Sequence, residues 1–449
     1  MLEAASWAGP AILIVFVIAY LLVFGEEKLH LRKSKPVMVG AGLIWIIVAI
    51  AFHQAGRGHE VSEKLRHVLL EYAELFLFLL AAMSFVNTMV ERNVFESLRT
   101  RLVAARLSIR NVFWITGTFA FFLSPIADNL TTALVMGTVV LSTFAHRKKL
   151  AVGALINVVV AANAGGAFSP FGDITTLMVW QKGMVEFGQF FSLFFPALVN
   201  WLVPAFIISF TLPKRKSRAT AKIAEVHKGG YVVVCLFLAT IATTVTLDNV
   251  LHLPPFLGMM MGLGVLEMYG YFLRASETRA FSKVLNEATG GVKENLCKPR
   301  KPFDIFCVLE KVEWDTLLFF YGIMLCVGGI SAIGYLGQLS TLMYTDLGPT
   351  IANISVGLLS SIIDNIPVTF AVLTMSPTMD LGQWLLLTLT AGVGGSLLSI
   401  GSAAGVALMG IGKGSYTFLS HLRWTWAIFL GFAASIGTHL LINHALFTG

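Results

Sequence analysis

Six acidic residues stand inside stretches that are otherwise apolar: Glu71, Glu74, Asp128, Asp173, Glu267 and Asp364. Three of them sit in polar clusters: SPIADNLTTALVM (124–136), GGAFSPFGDITT (165–176) and SSIIDNIPVTFAVL (360–373). These clusters and their surroundings offer carboxylates from Asp128, Asp173 and Asp364. Asn129, Asn163 and Asn365 add amides, and Thr131, Thr132, Thr175, Thr176 and Ser402 add hydroxyls. A hard cation wants such oxygen ligands. His and Cys are absent from the set, so no transition metal is required and no cofactor is called for. The pattern predicts Na⁺ or Li⁺ at Asp128, Asp173 and Asp364, with no Lys or Arg at the site. Three carboxylates would repel an anion. They can also carry protons, because clustered like charges in a low-dielectric site favour protonation of one member. A group that takes H⁺ or Na⁺, but not both, couples the two by competition. Ionisable residues within membrane segments are functional by default.

What must position these residues is a membrane-embedded bundle. Hydrophobic residues make up 56% of the 449 and charged residues 13%, about half the charged share of a soluble domain. Apolar runs of spanning length recur without period-two alternation, which predicts an all-α polytopic membrane protein rather than a barrel. The segments are read at 9–25, 37–53, 67–90, 111–145, 149–181, 189–212, 229–247, 256–273, 314–335, 348–374, 383–412 and 424–446. No basic region precedes the first, so it is read as a span and not a cleaved signal. The net charge of +7 reflects loops, not nucleic acid. Of 32 Lys and Arg, 28 fall in loops 26–36, 91–110, 146–148 (with Lys149 at its edge), 213–228, 273–313 and 413–423. The positive-inside rule makes these loops cytoplasmic and puts both termini outside.

Simple alternation fails at 111–145. Arg106 and Arg110 precede it, and Arg147, Lys148 and Lys149 follow it, so both ends belong to the cytoplasm. A re-entrant helical hairpin turning near Pro125 to Asn129 resolves this. Such a tip must be buried in protein or line a cavity. Segment 348–374 is the mirror case: its flanks carry Asp346 and Asp380 and no basic residue. Asp128-Asn129 then aligns with Asp364-Asn365. Residues 165–176 align without a gap on GGSLLSIGSAAG (394–405), each interrupting the helix after a hairpin, with Ser402 as the counterpart of Asp173. The prediction is an inverted-topology repeat of about ten transmembrane helices, two re-entrant hairpins and two broken helices. Residues 1–212 form the first repeat (hairpin 111–145, broken helix 149–181) and 213–228 a cytoplasmic linker. Residues 229–449 form the second (cytoplasmic loop 273–313, hairpin 348–374, broken helix 383–412). Interrupted segments at matching places in two halves point to a transporter's binding site.

Other features carry less. Glu71 and Glu74, three apart on one helix face, are read as a proton path or pH-sensing pair, with a solvated helix end near Arg66 as the alternative. Glu267 with Arg274 reads as an interfacial pair. His53, His252 and His439 read as interfacial, and the four cysteines as reduced thiols without function. Segment 91–110 reads as an amphipathic helix on anionic lipid, and loop 273–313 as the one sizeable soluble part, without a catalytic pattern.

SPIADNLTTALVM, NAGGAFSPFGDITTLMVWQ and SSIIDNIPVTFAVL, with AELFLFLLAAMSFVN (73–87), resemble the signature segments of NhaD-type sodium/proton antiporters. These belong to the ion transporter superfamily, alongside arsenite carriers and sodium-coupled dicarboxylate carriers. The resemblance covers nearly the whole chain. It implies electrogenic exchange of cytoplasmic Na⁺ or Li⁺ for external H⁺, favoured at alkaline pH. By position it implicates Asp128, Asn129, Asn163, Asp173, Thr175, Thr176, Asp364 and Asn365. Dimerisation is typical of the superfamily. The loop charges fit a bacterial inner membrane, with a plastid envelope as the other setting. The alternative function is an anion carrier of the same fold, for arsenite or a carboxylate. Dicarboxylate carriers bear Ser-Asn-Thr at both hairpin tips, where this chain has Asp-Asn. An intramembrane enzyme using Asp128 and Asp364 as a dyad would leave the repeat and the amide and hydroxyl company unexplained.

Overall fold

A bilayer core leaves every backbone amide to find an internal partner, which restricts spanning structures to helices and closed barrels. Among the described residues this chain is helical without a strand. The structure, a computed structural model, describes residues 7–29, 31–105, 107–144, 148–213, 222–287, 305–412 and 414–447. Arg106 and Arg147 of the basic flanks lie outside these, as do 214–221 of the expected linker and 288–304 of the expected loop with Cys297. Among the described residues, seven helices are long and apolar enough to cross a membrane: Ser34–Gln54, His59–Glu91, Phe187–Ser209, Gly230–Leu251, Pro255–Arg279, Trp314–Ala332 and Thr425–Ile442. Ala8–Phe24, with 17 residues, is at the lower end of spanning length.

The breaks fall where the polar clusters are. Ile109–Ala127 starts on Ser108, whose Oγ accepts from the Asn111 amide at 3.2 Å. It stops at Asp128, and Asn129–Thr143 follows. Pro349–Leu359 and Asn365–Met375 form the second such pair. Lys148–Gly166 is separated from Ile174–Gln181, and Leu381–Gly394 from Ala403–Ile411. Residues 153–171 and 382–397 are buried throughout, as expected of helices that are apolar on every side.

The chain divides into two compact units. One comprises Met1–Tyr72, Arg99–Ile223 and Asp315–Gly449; the other Ala73–Leu98 and Ala224–Trp314. Within the first, Ile109–Ala127 packs on Lys148–Gly166, and Pro349–Leu359 packs on Leu381–Gly394. The second arms are exchanged: Asn129–Thr143 packs on Ala403–Ile411, and Asn365–Met375 on Ile174–Gln181. Each pairing has its counterpart under the sequence alignment. So do two clamps: Ser124 Oγ donates to the Ala162 carbonyl at 2.6 Å, and Ser360 Oγ to the Ala391 carbonyl at 2.7 Å. Gly165 and Gly394 allow this closeness. A Cβ at either would collide with a backbone carbonyl of the neighbouring arm, that of Phe121 or Gly357.

The second unit pairs Gly230–Leu251 with the helix Pro255–Glu287 through Gly258 and Gly262, which face Thr244 and Thr240. Small residues four apart let helix backbones approach. That helix runs through Glu287, so the first part of the expected soluble loop 273–313 is helical. Segment 91–110 forms the helix Val94–Ala104, but Arg92 does not lie on lipid. Its side chain is 1% exposed and donates to Glu277 at 2.6 Å.

Candidate functional site

Four half-helices of the first unit start on a side-chain cap. Asp128 accepts from the Thr131 amide at 2.7 Å and from Thr131 Oγ1 at 2.9 Å. Asp173 accepts from the Thr175 amide at 3.1 Å, Asp364 from the Ile366 amide at 3.4 Å and Ser402 from the Gly405 amide at 3.2 Å. Short polar side chains satisfy the orphan amides of a helix start, and a carboxylate there also meets the positive end of the helix dipole. Each of the three aspartates therefore has a local structural role beside any chemical one. Asp128 carries a further signature: φ 54°, ψ 163°, a combination that costs a non-glycine residue about 1–3 kcal/mol.

Asp173 is the hub. It is 5% exposed. Its Oδ2 accepts from Asn129 Nδ2 and from Asn365 Nδ2, both at 3.1 Å, and its Oδ1 accepts from Asn365 Nδ2 at 3.3 Å. Asn129 Nδ2 also reaches Asn163 Oδ1 at 3.3 Å, and Asn163 Nδ2 donates to Ser402 Oγ at 3.0 Å. Asn129, Asn163, Asp173, Asn365 and Ser402 thus form one network joining the starts of all four half-helices. Asp128 and Asp364 each precede the asparagine that enters it. Among the described residues no three His, Cys, Asp or Glu side chains form a group arranged to hold a metal ion. Thr176 Oγ1 donates to the carbonyls of Ser169 and Asp173 at 2.8 and 2.6 Å and fastens the break. Thr175 is fully buried beside the Asp173 carboxylate that caps its helix.

One expectation is corrected outright: the site does have a basic neighbour. Lys33 Nζ lies 3.9 Å from Asp364 Oδ2 and 4.6 Å from the Phe319 ring centroid. The next residue, Ser34, bonds to Asp315, which anchors this helix start. In the sequence Lys33 is one more loop charge, and nothing marks it. Glu71 pairs with His67 at 2.9 Å and with Lys182, at the end of Ile174–Gln181; Arg66 is not its partner. Glu74 follows on the same helix. His439 is buried rather than interfacial, with Nε2 2.9 Å from the Gly382 carbonyl.

Sequence reading also missed the serine clamps and the asymmetry opposite Asn163. Extending the alignment of 165–176 on 394–405 three residues upstream would have reached both Ala162 with Ala391 and Asn163 with Gly392.

The chain matches the citrate transporter family (CitMHS) over residues 10–276 and 303–392. It is 53% identical over 447 residues to the Na⁺/H⁺ antiporter NhaD of Alkalimonas amylolytica, covering 99% of this chain and 92% of that protein. It is 53% identical over 446 residues to NhaD of Vibrio cholerae, covering 99% and 94%. Sodium/proton antiporter 1 of Arabidopsis thaliana is 29% identical over 459 residues, covering 98% and 74%. With relatives this similar along nearly its whole length, and with three of the signature segments supplying residues to one buried network, the chain belongs to the NhaD family of the ion transporter superfamily, a family of transporters rather than enzymes.

Proposed function

We propose that the chain exchanges cytoplasmic Na⁺ or Li⁺ for external H⁺ by alternating access, with Asp173 as the group for which the two ions compete. The observation that carries this is a buried carboxylate held by one asparagine from each broken pair, Asn129 and Asn365. Helix starts concentrate positive partial charge, and four such starts alone would suit an anion. A carboxylate at three of the four caps reverses the sign. Two amide donors orient the Asp173 carboxylate and favour its charged form over the protonated one. If either tip moves away, Asp173 loses a donor to a charged group, worth about 1.5–3 kcal/mol. That shifts the balance between Na⁺ and H⁺ by about ten- to hundredfold. Motion and ion preference are thereby tied together.

Residues 1–212 and 229–449 act in this reading as inverted repeats joined by 213–228, in a bacterial inner membrane with both termini outside. Asp128 and Asp364 serve as caps that add negative field, and Glu71 holds Lys182 on the scaffold. The citrate transporter family description favours a second reading, an anion carrier, which must bring its substrate against Asp173. The test is purified protein in liposomes with a trapped pH dye and an imposed gradient. Na⁺ and Li⁺ should collapse the gradient while K⁺, arsenite and citrate do not. Collapse with an anion alone would overturn the proposal.

A further inference from the structure

A cavity of about 440 Å³ shares no residue with the buried network; its lining includes Val152, Ser415, Thr417, Ser420, Arg423 and Trp424. Val152 lies near the start of Lys148–Gly166, and Trp424 caps the spanning helix Thr425–Ile442. Such helix ends meet the membrane–water interface, where Trp is enriched. Among the described residues no carboxylate lines the cavity. Its walls come from two stretches, 129–172 and 381–449, that contain no Asp or Glu, while Arg147, Lys148, Lys149, Lys413 and Arg423 fall within them. The lining is rich in donors. A guanidinium and an indole N–H can only donate. Thr417 Oγ1 accepts from the Ser420 amide at 3.3 Å, which leaves its O–H to donate. Apolar surface adjoins these donors: Leu419, also in the lining, and Leu422 are exposed.

We infer that an anionic phospholipid seats its phosphodiester headgroup in this cavity, with its acyl chains along Leu419 and Leu422, and that the bound lipid supports exchange. An ionised phosphodiester only accepts hydrogen bonds, and Arg can meet two of its oxygens at once. Basic pockets between membrane helices bind anionic headgroups. Donors beside exposed apolar surface suit a lipid rather than a free anion. The segment that forms the cavity also holds the second broken helix. His421 Nε2 lies 3.0 Å from the Ser396 carbonyl, and Thr425 Oγ1 donates to the Leu397 carbonyl at 2.8 Å. Both carbonyls belong to the break between Leu381–Gly394 and Ala403–Ile411. The short helix Phe418–Leu422 packs on Lys148–Gly166. A headgroup between Val152 and Arg423 therefore steadies the start of one broken helix against the interruption of the other. The effect on flux rests on the exchange reading above; the binding does not.

The test adds short-chain phosphatidylglycerol, short-chain phosphatidylcholine or glycerol phosphate to the purified full-length protein in detergent and reads the melting temperature. Phosphatidylglycerol should raise it by about 2–4 °C at saturation, as a ligand of the folded chain does, and the other two should not. Arg423→Gln should lose the shift and Arg423→Lys keep most of it. Arg279→Gln, which removes an exposed charge outside the cavity, should keep it in full. In liposomes, replacing phosphatidylcholine by phosphatidylglycerol should raise Na⁺-driven proton flux by about fivefold in the unaltered chain and in Arg279→Gln, but not in Arg423→Gln. An equal shift with phosphatidylcholine or with glycerol phosphate, or an undiminished shift in Arg423→Gln, would overturn the lipid site. Flux indifferent to the lipid would overturn its role in exchange. If the shift persists and the unaltered chain shows no Na⁺- or Li⁺-driven flux in either lipid, the exchange reading fails and the lipid site stands.

Discussion

At the scale of single residues, the caps and the chemistry can be separated because Asn caps a helix about as well as Asp. Asp173→Asn keeps one oxygen for the cap but loses an acceptor for the Asn129 and Asn365 amides, so it should lower the melting temperature less than Asp173→Ala does and abolish Na⁺-driven proton flux. Asp173→Ala should add a loss of about 1 kcal/mol for the missing cap. A thermal-shift assay beside the flux assay reads both, and active Asp173→Asn protein would dismiss the hub. Lys33 gives a second handle. Its pair with Asp364 is part-exposed, with each side chain 24% accessible, so it contributes little to stability, at most about 1 kcal/mol. It does hold a positive charge beside the second tip. Lys33→Gln should tighten apparent Na⁺ affinity by about two- to fivefold, measured as the half-saturating Na⁺ concentration; weaker binding would show that Lys33 supports the site.

At the scale of elements, the closeness of Ile109–Ala127 to Lys148–Gly166, and of Pro349–Leu359 to Leu381–Gly394, is specified by glycine and serine. Gly165→Ala or Gly394→Ala forces a Cβ into a carbonyl and should destabilise by about 1–3 kcal/mol. Ser124→Ala or Ser360→Ala removes a hydrogen bond to a buried carbonyl, for about 0.5–1.5 kcal/mol. Thermal midpoints in detergent read these losses, and unaffected midpoints would deny the clamps. His421 lies in the chain between the helices Ala403–Ile411 and Thr425–Ile442, 2.7 Å from Tyr416 Oη and 3.0 Å from the Ser396 carbonyl. Burial pushes its pKa down from 6.5 to about 4, while the carbonyl bonds oppose this. Its folded value is below its unfolded value, so the neutral ring's contribution is complete above pH 6.5. It is lost as pH falls from there towards 4. His421→Gln should leave the alkaline exchange profile unaltered and flatten the acid decline of the melting temperature. A shifted alkaline profile would make His421 a sensor. Much at this scale was legible in the sequence. Polar clusters in apolar runs marked the interruptions at Asp128, 167–173, 360–364 and 395–402, because a membrane helix gives up its ladder only for a reason. The Asn129–Asp173–Asn365 contacts were not legible, since they join residues up to 192 positions apart and depend on which arms exchange partners. Lys33 was hidden among charges that orient the chain.

At the scale of the whole molecule, the proposal is two inverted halves with hairpins entering from opposite faces. Cysteine substitutions in a cysteine-free background test it. A cysteine at His444 should react with a membrane-impermeant maleimide in intact cells, and one at Arg110 only after permeabilisation. The reverse pattern, or labelling of both from outside, would refute the topology. The central claim is that Na⁺ and H⁺ compete for Asp173. Cation sites built on titrating ligands release protons when loaded. The most direct measurement is proton release from detergent-solubilised protein in weak buffer on addition of NaCl, with KCl as control. The account predicts a Na⁺-dependent acid pulse from the unaltered chain and none from Asp173→Asn; an equal pulse from both would contradict it.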